Sequence, residues 1–152
     1  MDKLTGLIGA VVIGGLAIAG WQWMSAPAAP QGHSMTPPDT SAIKEGAAIA
    51  EVALPAELSA NAQLGKGIFD AACAKCHGAN AAGQNGVAPP LVHKIYETGH
   101  HSDMAFMMAA QNGVRAHHWD FGNMPKIDGV TQGDVKMIVA YVRELQRANG
   151  IN

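Results

Sequence analysis

The chain has 152 residues, room for one ordinary domain plus appendages. Its formal charge of −2 gives no electrostatic case for nucleic acid or for an anionic membrane surface. Charged residues make up 14% and hydrophobic ones 48%, but aromatics are only 5%, so the side chains alone offer little bulk for a core.

Leu4 to Met24 reads LTGLIGAVVIGGLAIAGWQWM, without a charge and long enough to cross a hydrocarbon core as a helix. Trp21 and Trp23 stand where an interfacial belt would be. An uncleaved signal anchor competes with a cleaved signal peptide. The length of the apolar run and the prolines around Ser25-Ala26-Pro27-Ala28-Ala29-Pro30 favour the anchor. A buried core helix suits it less, because the segment is apolar all round and a proline-rich stretch follows. Lys3 precedes the segment and no Lys or Arg follows until Lys44, which orients the N-terminus to the cytoplasm and the rest outward. The expected division is a transmembrane anchor over 1–24, a Pro/Ala-rich linker over 25–58 and a folded domain over 59–152. Pro27, Pro30, Pro37, Pro38 and Pro55 punctuate the linker, within which Ile43 to Val52 can form a short helix.

Ser59 can cap a helix with a body of roughly Ala60 to Ala72. Leu64, Ile68 and Ala72 form one i, i+4 row, and Gly65, Phe69 and Cys73 the next, together an apolar face. This face leads to Cys73-Ala74-Lys75-Cys76-His77, which holds the only two cysteines. C-x-x-C-H is the attachment pattern of c-type haem. Each thiol can add to one vinyl group of the porphyrin, and the histidine is then held under the iron. A zinc site would need another ligand pair at zinc-like spacing, and a thioredoxin-like motif would need a βαβ pattern. A disulfide would close an unusually tight loop. A covalently held haem would also supply the missing apolar bulk.

Small polar residues over 78–86 read as loop, and Pro89-Pro90 fix an extended turn before Leu91. One helical turn can follow between Leu91 and Tyr96. Ser102 can cap a helix ending near Gly113, and Thr131 a final helix to about Ala148, with Asp134 in its first turn. The apolar face of the latter is Val135, Ile138, Val139, Tyr141, Val142 and Leu145. No stretch alternates long with period two, so the domain is expected to be all-α.

CAKCH, then Ala88-Pro89-Pro90-Leu91, then Gly122-Asn123-Met124-Pro125 and a last amphipathic helix resemble a class I cytochrome c over roughly Ser59 to Ile151. The resemblance implies the small all-α cytochrome c fold around one covalent haem c, bound through Cys73 and Cys76. It implies His77 and Met124 as the iron's axial ligands. The Pro89 carbonyl would accept the second ring N–H of His77, and Gly65 and Phe69 would meet Tyr141 at a close crossing of the first and last helices. Ala88, where glycine is common, and Lys126, where a second proline is common, depart from the family pattern.

Histidine–methionine ligation leaves no open position at iron, so the expected role is one-electron transport and not catalysis. The expected setting is a single-pass anchor in a bacterial inner membrane, with the haem domain in the periplasm, where the proteins it resembles receive their haem. Expected partners are respiratory or photosynthetic complexes, such as a quinol-oxidising complex and a terminal oxidase. The alternative is a haem-based sensor or small peroxidase with a displaceable sixth ligand. Met104, Met107 and Met108 are expected to pack as core. His93, His100, His101, His117 and His118 rival Met124 for the iron, although each alone reads as a loop or surface residue. Paired histidines can also bind Cu or Zn, which leaves a metal-handling module with a structural haem as a third reading. Arg115 and Trp119 can reach haem propionates, or equally be a surface arginine and a packed tryptophan.

Overall fold

Helix capping and one close helix crossing explain most of the architecture. The structure, a computed structural model, describes residues 15, 16, 18, 20, 21 and 34–152. The chain divides into two units, Met1–His33 and Ser34–Asn152. In the first, Gly15, Leu16, Ile18, Gly20 and Trp21 are helical and exposed. The rest of the anchor expected over 1–24 lies outside the described residues, as do positions 25–33. No helix among the described residues is long and apolar enough to cross a membrane.

The second unit holds α1 (Ala60–Ala72), α2 (Ala74–His77), α3 (Asp103–Asn112) and α4 (Gln132–Ala148), with 3-10 turns at Ala79–Ala81 and Lys94–Tyr96. Among the described residues the only β pairing is two isolated bridges, Gln84 with Ala88 and Val114 with Met124. The expected caps are present. Ser59 accepts from the Ala62 N–H and Ser102 from that of Ala105. Thr131 and Asp134 form a reciprocal capping box on α4.

The core is the seam between α1 and α4. Ala62, Gly65 and Phe69 of α1 are buried, and Phe69 lies against Tyr141 with ring centroids 5.6 Å apart. Gly65 permits the approach: a Cβ there would come 1.8 Å from the Met137 carbonyl oxygen. So tight a crossing narrows the seam, and Leu64, expected on the apolar face, stays 63% exposed. Every apolar position expected on α4 is buried. Of the three methionines expected in the core only Met107 is buried; Met104 and Met108 are 60% and 50% exposed.

Two polar residues of α4, Arg143 and Gln146, are also buried. Arg143 donates to Asp103 Oδ1 at 2.9 Å, to the Tyr96 carbonyl at 2.7 Å, to Gln146 Oε1 and to the His101 carbonyl. The Gln146 side-chain amide donates from Nε2 to the Leu91 carbonyl at 2.8 Å and to the Tyr96 carbonyl at 3.1 Å. These bonds tie the 91–102 loop to α4 by pairing its partly buried carbonyls.

Of the segment 25–58, expected as a linker, the structure describes residues 34–58. From Thr40 onward the chain is a strap bound to the domain. Asn85 Nδ2 donates to the carbonyls of Thr40 and Ile43, and the Asn85 N–H to that of Ala47. The N–H groups of Ile49 and Ala50 both reach the Ala82 carbonyl. Asn149 pairs with Ala53 in both directions at 2.9 Å, while Val52 and Leu58 pack on the core. Backbone groups spent on these partners are not available to a helix, and none forms between Ile43 and Val52.

Candidate haem site

The pentapeptide sits where α1 breaks. Cys73 is the C-cap of α1, its N–H still bonded to the Phe69 carbonyl, and the N–H groups of Cys76 and His77 both return to the Cys73 carbonyl. The short turn α2 therefore brings both thiols and the imidazole together. Both cysteines are free, Cys73 half-buried and Cys76 exposed. Burial pushes the Cys73 thiol up to about 11, with the neighbouring Cys76 adding to it, so it stays protonated near neutrality.

Gln84 closes this turn. Its side-chain amide donates to the carbonyls of Ala74, Lys75 and Cys76 at 3.3, 2.8 and 3.1 Å, supplying donors that a four-residue helix end lacks. Nothing in the sequence marks Gln84, one polar residue in a small polar loop. Gly83, with φ +74°, brings the diproline onto the site: a Cβ there would stand 2.5 Å from the Pro90 nitrogen. The Gly83 N–H also binds the His77 carbonyl at 2.7 Å.

His77 and Pro89 meet as expected. His77 Nδ1 lies 2.9 Å from the Pro89 carbonyl oxygen, which can only accept, so Nδ1 carries the proton and Nε2 presents its lone pair. Burial, the larger influence, lowers the His77 pKa against this bond, which raises it. The result is a neutral, oriented imidazole suited to a metal.

Met124 stands on a separate loop. Its N–H and carbonyl pair with the carbonyl and N–H of Val114, each at 2.9 Å, and Asn123 Oδ1 accepts from the Ala116 N–H. The 114–124 segment is thus a closed loop with half-buried Met124 at its end. Within it Trp119 is buried, stacked on Phe121 and edge-on to His93, while Arg115 is exposed.

The Trp119 indole N–H is buried without an acceptor in hydrogen-bonding geometry, although it lies close enough to the Tyr96 hydroxyl to influence it. An orphaned donor of this kind fits an anionic acceptor such as a haem propionate. With two free thiols in the same turn as a neutral imidazole, the residues present fit a covalently bound haem. The family model for cytochrome c matches residues 62–146.

The chain belongs to the cytochrome c family. It is a class I c-type cytochrome, mostly helical, from a family that binds haem c and whose members typically carry electrons. No curated protein and no solved structure gave a significant match. The matched residues run from the first turn of α1 almost to the end of α4, so they take in the helix crossing, the pentapeptide and the Met124 loop of this cytochrome.

Proposed function

We propose that this cytochrome is a one-electron carrier with a single haem c, tethered outside a bacterial inner membrane. The observation that carries this reading is the 2.9 Å contact of His77 Nδ1 with Pro89. It leaves the Nε2 lone pair available, so His77 would hold the iron of a bound haem, which would supply a one-electron Fe(III)/Fe(II) couple. Cys73 and Cys76 would each add a thiol S–H across one vinyl group, giving two thioethers. Met124 would supply the sixth ligand, a soft thioether that favours the ferrous state. Trp119 would donate to a propionate.

The uncharged run from Leu4 to Met24 supports the tether. Anchoring raises the effective concentration of the carrier at neighbouring complexes. A quinol-oxidising complex as donor and a terminal oxidase or photosynthetic complex as acceptor fit this setting. Such redox encounters use small, transient interfaces.

The ferric protein should show the weak charge-transfer band of iron–methionine bonding, and the ferrous protein should not take up carbon monoxide on mixing. Rapid uptake would overturn the carrier reading in favour of a sensor or peroxidase. For the tether, fractionation should place the full chain with membranes. Exchange of residues 1–24 for a cleavable signal should release soluble holoprotein. Full-length protein in the soluble periplasmic fraction would exclude the anchor.

A further inference from the structure

Three histidines that the haem site does not use converge on one point. His101 ends the loop before α3, and His117 and His118 lie inside the closed 114–124 loop. One ring nitrogen of each lies within 4.8 Å of the others. We propose that His101, His117 and His118 form a second metal site, for a late divalent transition ion such as Cu(II) or Zn(II).

The geometry is close to what such an ion needs. Metal–nitrogen bonds of about 2.0–2.1 Å place two tetrahedral donors roughly 3.3 Å apart, so at most about 1.5 Å of closure is required.

Two of the three rings are already oriented by backbone carbonyls. His101 Nδ1 lies 2.6 Å from the Ile95 carbonyl and His117 Nδ1 2.9 Å from that of Arg115. Each Nδ1 must carry the proton, which leaves each Nε2 as a lone-pair donor, the usual support behind metal-bound histidine. The His101 backbone is itself fixed by the Arg143 guanidinium. That guanidinium repels a cation, but Asp103 pairs with it at 2.9 Å.

Imidazole nitrogens without a thiolate or carboxylate among them select borderline ions over Ca²⁺ or Mg²⁺, and the general affinity order puts Cu(II) ahead of Zn(II). Three protein donors leave a fourth position for water.

The test is equilibrium dialysis of oxidised, haem-loaded full-length protein against Zn(II) and, separately, Cu(II), with bound metal counted per haem. One equivalent is expected. His101→Ala, His117→Ala and His118→Ala should each weaken binding about tenfold or more. His33→Ala should leave it unchanged. Unchanged haem spectra and far-ultraviolet dichroism would show that each variant remains folded. The Cu(II) resonance spectrum should carry splitting from three nitrogens. No stoichiometric binding, or binding that survives all three substitutions, would overturn the proposal.

Discussion

Gly65→Ala is expected to destabilise the holoprotein by about 3 kcal/mol or more, at the upper end of overpacking costs. The new methyl would lie 1.8 Å from the Met137 carbonyl oxygen and 2.9 Å from the Ile138 nitrogen. Both are backbone atoms of α4, so no side chain can swing aside; the helices must separate. Separation loosens Phe69 from Tyr141, whose rings are among the largest fully buried groups. The gain in helix propensity, about 1 kcal/mol, is too small to compensate. Gly67 offers the internal control. It lies in the same helix, and a methyl group added there would meet nothing within 4 Å, so Gly67→Ala should stabilise by about 1 kcal/mol. Denaturant midpoints with unchanged slopes would measure both shifts. Equal effects at the two glycines would mean that the crossing at Gly65 does not govern stability.

What the sequence reveals and what it hides divide along contact range. Ser59, Ser102 and Thr131 are readable as caps because a cap needs only its own first turn. The α4 face is readable because burial against one surface imposes a period on the chain. Cys73, Cys76 and His77 share one turn, so their chemistry appears as spacing. The polar partners leave no such trace. Gln146 reaches Leu91 across 55 positions and Asn149 reaches Ala53 across 96, and neither bond imposes a pattern on intervening residues. For the same reason the strap after Thr40 reads as a linker: its prolines and alanines do resemble one, and what binds it is Ala82, Asn85 and Asn149 from elsewhere. The histidine pairs at 100–101 and 117–118 are visible as pairs. That His101 meets His117 and His118 depends on the closure of the 114–124 loop and on the carbonyl that Arg143 holds.

Met124→Ala should lower the midpoint potential by a substantial share of the ~0.8 V over which axial ligands tune haem. It should also abolish the iron–methionine charge-transfer band and let the ferrous protein bind carbon monoxide. The loop should survive the change, because Val114 and Met124 pair through backbone atoms, and Asn123 holds Ala116 independently. Alanine keeps both backbone groups and removes only the half-buried thioether, so the effect reports ligation and not unfolding. Met104→Ala and Met108→Ala supply the comparison. Both side chains are half or more exposed on α3, and neither substitution should move the potential or the band appreciably. An unchanged spectrum in Met124→Ala would assign the sixth position to another residue. His93, which packs edge-on against Trp119, would be the next to replace. A histidine at the sixth position would give a more negative potential from the outset, since a hard imidazole favours Fe(III) where the thioether favours Fe(II).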